Sequence, residues 1–166
     1  MIPKIKKILY ATDLSKNSAY AFYYAVDMAK KHDAKIVILH AIEPIPSYVR
    51  AYTNLTEQVE EEQRKSFIQE IEKRLLNFCK AVEGQGVTSC VALVSKIIVR
   101  SGYPAEEILE TAEKEGCDLI LLGNHGKGFL KQTFLGSVSR SVLDRTRMPV
   151  FIIPLPEKTS KELGEI

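Results

Sequence analysis

DLILLGNHGKGFLKQTFLGSVS, residues 118–139, decides how this chain folds. Its first part, Asp118–Gly123, is apolar without a polar residue on every second position, the pattern of a strand covered on both faces. That run meets Gly123, Gly126 and Gly128, three glycines that let the backbone turn tightly and approach a ligand closely. Gly136-Ser137 then opens a helix that runs to about Arg145, ahead of Pro149. A covered strand that passes through a turn into a helix is one βα unit of a parallel sheet.

Outward from this stretch the same unit recurs. Ile5–Thr12 (IKKILYAT), Lys35–Ala41 (KIVILHA) and Pro149–Pro154 (PVFIIP) are short β-branched, leucine-rich runs. A fifth strand lies within Val87–Arg100, where Ser95-Lys96 marks a bulge or break. Between the strands, Ser15 is placed to cap a helix over Lys16–His32, with Ala21, Ala25, Met28 and Ala29 on one face. Asn54, followed by Glu57, is placed to cap a long helix whose stripe is Leu55, Val59, Phe67, Ile68, Ile71, Leu75, Phe78, Cys79 and Val82, stopped by Gly84 and Gly86. Pro104 stands at the first position of a helix through Ile108, Leu109 and Ala112 that Gly116 ends. Residues 42–53 read as a loop. The order β-α-β-α-β-α-β-α-β predicts a single doubly wound α/β domain with right-handed crossovers over residues 1–156, then a polar tail, 157–166.

Composition narrows the function. Lys and Arg number 23 against 21 Asp and Glu, so there is no basic excess to neutralise a run of phosphates, and a nucleic-acid partner is not expected. No apolar stretch reaches membrane-spanning length, and Met1–Lys7 is followed by too short an apolar run for a signal peptide. Cys79, Cys90 and Cys117 match no zinc or CxxC spacing and read as small buried hydrophobes. These features predict a reduced, cytoplasmic protein with no membrane partner.

Open α/β sheets bind ligands beyond the carboxyl ends of their strands, where the strand order reverses. Two loops carry suitable chemistry there: Ala11-Thr12-Asp13, and the glycine segment from Gly123 to Ser139. Free N–H groups and the positive dipole end of the following helix make an anion site, to which Ser137 and Ser139 can add hydroxyls. Two other phosphate loops are excluded. Gly123-x4-Gly128 is followed by Phe129 where a Walker A motif has lysine, and Gly126-Lys127-Gly128 reaches Lys131 where the dinucleotide fingerprint needs glycine. Asp13 can bond a nucleotide or water-bridged magnesium, or close an Asx turn before Ser15. His125 and Lys127 stand beside the phosphate position as possible contacts. His40 reads as a structural residue under the site and His32 as a surface residue. Tyr48 and Tyr52 either fold over a ligand or pack their loop down. Ser137 lacks the GxSxG setting of a hydrolase nucleophile, and no histidine pair has metal-ligand spacing, so neither catalytic residues nor a protein-held metal are expected.

Gly123-x2-Gly126-x9-Gly136-Ser137 resembles the glycine pattern of the ATP-binding branch of the universal stress proteins. Lys7–Ser15 (KILYATDLS), Leu39-His40-Ala41, Gly102–Ile108 (GYPAEEI) and Met148-Pro149-Val150 are similar to four further stretches of that family, so the resemblance spans residues 3–155. It implies a five-stranded parallel sheet in the order 3-2-1-4-5, an adenine nucleotide α hydrolase-like fold. It implies ATP (or ADP or AMP) with magnesium as ligand. Adenine would lie near Ala11, Thr12, Asp13 and Ala41, and ribose and phosphates near Leu122, Gly123, Gly126, Gly136, Ser137, Val138 and Ser139. Position 11, often proline in ATP-binding members, is alanine here, which leaves the backbone less fixed. It further implies a homodimer through the last strand and a nucleotide-dependent stress-response module. The alternative is a slow ATPase, or a phosphoryl- or nucleotidyl-transfer enzyme, using the same site.

Overall fold

In the computed structural model, alternate residues of each inner strand go to opposite faces, and both faces are covered. The structure describes residues 1–54, 56–83, 90–124 and 135–154. Along the chain run β1 (Lys7–Ala11), α1 (Lys16–His32), β2 (Lys35–Ile42), α2 (Ser47–Arg50), α3 (Glu57–Glu83), α4 (Cys90–Leu93), β3 (Val94–Ser101), α5 (Pro104–Lys114), β4 (Leu119–Gly123), α6 (Ser137–Arg145) and β5 (Val150–Ile153). The strands form one sheet in the order β3-β2-β1-β4-β5, all parallel, the topology that the resemblance implies.

Ile8, Tyr10, Ile36, Ile38, Leu119 and Leu121 face α1 and α3, where Phe22, Ala25, Ile71, Leu75 and Phe78 cover them. Leu9, Val37, Leu39, Ile120 and Leu122 face α5 and α6, against Ile108, Ala112 and Val142. Neither set reaches water, which is why these strands read as continuous apolar runs. β1 lies between β2 and β4, so the helices after β1 and β4 leave on opposite faces and a crevice opens where the two strands end.

Several local expectations are met. Ser15 caps α1, its Oγ accepting from Ser18 N at 3.3 Å. Pro104 opens α5, and Gly116 follows that helix at φ +63°, where glycine is unstrained. Ser95 is the extra residue of β3: Ile36 and Val37 of β2 pair with Val94 and Lys96, leaving Ser95 as a bulge.

Others are corrected. The cap of α3 is Thr56, whose Oγ1 accepts from Val59 N at 3.3 Å, and not Asn54; Val59 is exposed and leaves the apolar stripe. Leu55, Gly84 and Gly86 lie outside the described residues, as does the tail. The chain before β3 is the short helix α4, and residues 47–50 of the expected loop form α2. Tyr48 and Tyr52 are exposed, so they do not pack their loop down.

Cysteine is the largest correction. All three cysteines are buried, as hydrophobes would be, but Cys79 of α3 and Cys90 of α4 form a disulfide with Cα atoms 5.4 Å apart. Sequence spacing carries no signal for this pair, because it is α3 ending and α4 beginning beside it that brings the Cβ atoms together. Cys117 is free, and burial raises its thiol pKa to about 11, so it stays neutral and unreactive at pH 7. Alkylation without reductant is therefore expected to label no cysteine in the native protein and one after denaturation, rising to three once reductant is added. Three labelled thiols without reductant would remove the bridge. Cys79→Ser is expected to cost about 3 kcal/mol of stability, from the entropy of a loop this short.

Candidate functional site

The turn after β1 is fixed almost atom by atom. Thr12 N donates to Leu39 O at 2.9 Å, prolonging the pairing with β2. Its carbonyl lies 2.8 Å from His40 Nδ1, and a carbonyl only accepts, so Nδ1 carries the proton. His40 is buried at the end of β2 with its ring against Phe67 of α3, the structural position expected for it. Thr12 Oγ1 accepts from Leu14 N at 3.0 Å and shares a hydrogen bond with Ser18 Oγ at 2.9 Å. Asp13 Oδ1 accepts from Ser15 N at 3.0 Å, closing the Asx turn that leads into α1. Leu14, between them, has φ +64°, a left-handed conformation unusual for a leucine. Tyr10 OH, beneath the turn, donates to Ser18 O at 2.7 Å; burial pushes its pKa well above the ordinary phenol value, so it remains a donor.

Across the crevice, β4 ends at Gly123-Asn124. Asn124 gathers four elements: its N–H donates to Ile153 O at the end of β5, its carbonyl accepts from Gly136 N, and its Oδ1 accepts from Asn17 Nδ2 of α1 at 3.0 Å. Gly123 lies against Asn17: a Cβ there would stand 3.3 Å from both the Asn17 side chain and its carbonyl oxygen. A side chain here would press on a buried, hydrogen-bonded asparagine, which would have to give by a few tenths of an ångström. Ser139, in the first turn of α6, turns its hydroxyl inward to Gly123 O at 2.9 Å and Asn124 O at 3.3 Å. Gly136 caps α6 through backbone alone, with no side-chain cap, while Ser137 is exposed at the crevice.

Thus Thr12 and Asp13 stand at the end of β1, Leu122 and Gly123 at the end of its neighbour β4, and Gly136, Ser137, Val138 and Ser139 at the start of the helix tied to β4. Ala41 lies on β2 two residues past Leu39, the partner of Ala11, and so overhangs the end of β1. His125, Gly126 and Lys127 lie outside the described residues. Ser18, Asn17, Asn124 and Arg74 of α3, whose Nη1 donates to Leu14 O at 3.0 Å, escaped the sequence reading. Asn17 left a trace, since it precedes Ala21, Ala25 and Ala29 on the buried face of α1; Arg74, sixty residues from its partner, left none.

These polar groups meet at the ends of β1 and β4. Around them, strands β1 and β4 supply backbone edges, and α6 supplies the N–H groups of its first turn with the favourable end of its dipole. Among the described residues no group of three His, Cys, Asp or Glu could hold a metal ion.

Comparison with known proteins agrees with this fold. The model of the "Universal stress protein family" matches residues 4–154. The universal stress protein MJ0577 of Methanocaldococcus jannaschii is 33% identical over 158 residues, covering 89% of this chain and 94% of its own. Universal stress protein YxiE of Bacillus subtilis is 33% identical over 150 residues, covering 89% and 97%. Among solved structures, that of MJ0577 superposes with a TM-score of 0.69 at 29% identity, over 93% of this chain and 99% of that one. A universal stress protein in complex with cAMP has the same fold, with a TM-score of 0.57 at 23% identity over 91% and 98%.

Gly123→Ala tests the packing at the crevice floor. The new methyl must push Asn17 away from Asn124, an overpacking cost of about 1–3 kcal/mol, or a fall of roughly 3–10 °C in Tm for a chain of this size. An unchanged Tm would mean that Asn17 yields freely and does not fix the end of β4.

Proposed function

The chain belongs to the universal stress protein family, and from that we propose that it binds ATP or a related adenine nucleotide as a regulatory ligand. The observation that carries the proposal is the conjunction at the crevice: the Gly123-x2-Gly126-x9-Gly136-Ser137 spacing joins the end of β4 to a backbone-capped helix N-terminus, opposite the ordered Thr12–Ser15 turn. Adenine lies against Ala11, Thr12, Asp13 and Ala41. The ribose and phosphates take N–H groups from Gly126, Val138 and Ser139 and the hydroxyl of Ser137, beside Leu122, Gly123 and Gly136, whose own N–H is engaged with Asn124 O. Ser139 contributes its amide, its hydroxyl being engaged with Gly123 O. His125 and Lys127 add donors to the phosphates, and magnesium, when bound, neutralises phosphate charge through water near Asp13. The cAMP complex of a relative supports an adenine nucleotide as the ligand class.

Backbone N–H groups and a serine hydroxyl hold a triphosphate almost equally in the ground and transition states, and such uniform binding does not speed chemistry; of the proposed side-chain contacts, only His125 and Lys127 could favour the transition state. The proposed role is therefore that of a nucleotide-dependent stress-response module in the cytoplasm rather than an enzyme. No helix among the described residues is long and apolar enough to cross a membrane.

Calorimetric titration of nucleotide-free protein with ATP and magnesium is expected to show saturable binding and turnover well below one per second. Gly126→Val is expected to abolish binding, because a side chain there intrudes where phosphate meets backbone, and Ser137→Ala to weaken it several-fold. Absence of heat at millimolar ATP would end the proposal. Turnover near one per second would make the protein an ATPase.

The assembly we propose is a two-fold homodimer through β5, a four-residue edge strand with Phe151 exposed and Ile152 half-buried. Light scattering is expected to give twice the chain mass, and Ile152→Lys a monomer that keeps its Tm. A wild-type monomer at micromolar concentration would refute the dimer.

A further inference from the structure

One contact in the turn after β1 comes from an element that the nucleotide does not need to touch. Arg74 lies in the middle of α3, and its guanidinium is aimed by an ion pair with Glu70 one helical turn earlier, Nε to Oε1 at 2.7 Å. From there Nη1 donates to the carbonyl oxygen of Leu14 at 3.0 Å. Leu14 is one of two non-glycine residues among those described with positive φ, and a left-handed leucine brings its Cβ too close to the next carbonyl oxygen. Such a conformation persists only where its surroundings hold it.

The Leu14 side chain is partly buried against the core under α1 and α3, and its backbone groups are held separately. A cavity of about 40 Å³ lies between the turn and α3, lined by Thr12, Leu14, Ser15, Ile71, Arg74 and Phe78. Beside this cavity the backbone of the turn is secured by hydrogen bonds. Leu14 N is held from within the turn, by Thr12 Oγ1, and Leu14 O from outside it, by Arg74. The two peptide groups flanking Leu14 are the ones whose orientation sets its φ and ψ. A charged donor gives the stronger kind of hydrogen bond to a carbonyl. Once released, Leu14 would fall back to a right-handed or extended conformation, and the Asp13 and Ser15 peptides would turn with it.

We propose that Arg74 is a positioning residue of the nucleotide site, holding Leu14 in its left-handed conformation so that the Thr12–Asp13 backbone keeps the shape that receives the base. This rests on the nucleotide-binding proposal above. It ties ligand affinity to α3, the helix that also carries Cys79 of the disulfide.

The test uses the full chain with ATP as probe and hydrogen exchange without it. Arg74→Met keeps the apolar stem of the side chain and removes the donor. It is expected to weaken ATP binding about tenfold, the scale of one lost charge-assisted hydrogen bond, with Arg74→Lys restoring most of the affinity. Without nucleotide, Arg74→Met is expected to speed amide exchange at Leu14 and Ser15 and leave the β1 and β4 amides unchanged. Leu14→Gly isolates the mechanism, since glycine adopts the left-handed conformation without strain. In that background Arg74→Met is expected to cost less than about threefold in affinity. Wild-type affinity in Arg74→Met, or the same loss in both backgrounds, would overturn the role of Arg74. Unchanged exchange at Leu14 and Ser15 would overturn it whether or not ATP binds, whereas a wild type that takes no ATP overturns the nucleotide proposal and with it the purpose assigned to the clamp.

Discussion

Two parallel strands that end side by side in the middle of a sheet leave backbone groups that no further strand can satisfy, and everything at the crevice follows from how those groups are paired. Buried N–H and C=O groups without partners cost as much as a lost hydrogen bond. At β1 the Thr12 carbonyl is taken by His40 and the Leu14 carbonyl by Arg74; at β4 the Gly123 and Asn124 carbonyls are taken by Ser139 Oγ and Gly136 N. The partners come from β2, α3 and α6, so closing the ends of two strands fixes the positions of three other elements. Asn17 and Asn124 then join the two ends across the crevice floor. The polar contacts that look like a ligand site are in the first place the solution to a problem of strand termination.

That double duty explains what could be read from the sequence. The inner strands β1, β2 and β4 were legible because covering on both faces removes alternation. The bulge was legible at Ser95 because a polar residue interrupts an apolar run. Capping shifted from Asn54 to Thr56 because both residue types accept from a helix N-terminus, and local sequence does not rank two such caps separated by one residue. The glycine segment was legible through spacing alone. Long-range partners were not: Arg74 to Leu14, Asn17 to Asn124 and Cys79 to Cys90 depend on which faces α1, α3 and α4 present, and no local pattern encodes that.

The two faces of the sheet carry different parts of the site. Residues 12–15 are held from the α1–α3 side, through Ser18 and Arg74, with His40 at the end of β2. Gly123, Asn124 and Gly136 are held from the side of α6, which packs on α5 through a fully buried Val142. A ligand spanning the crevice would touch both sets, and its binding energy would depend on their separation. The Asn17–Asn124 hydrogen bond, at the crevice floor, links the sets directly by side chains.

The path from the crevice to the edge of the sheet is short and stiff. α6 is capped by Gly136, runs nine residues from Ser137 to Arg145 and gives way to Thr146, whose Oγ1 accepts from Met148 N before β5 begins. β5 returns to the crevice, where Ile153 O accepts from Asn124 N, so helix and strand close a loop on one asparagine. A helix with a buried face moves as a body, because its packing resists local bending. A change in the contacts at its N-terminus would bear on β5 through Asn124, whose backbone is bonded to both. The proposed nucleotide lies at one end of that closed loop and the proposed dimer strand forms its other limb. Ligand and assembly would then be linked through this one segment, and by reciprocity any preference of the dimer for bound nucleotide would equal the preference of nucleotide for the dimer.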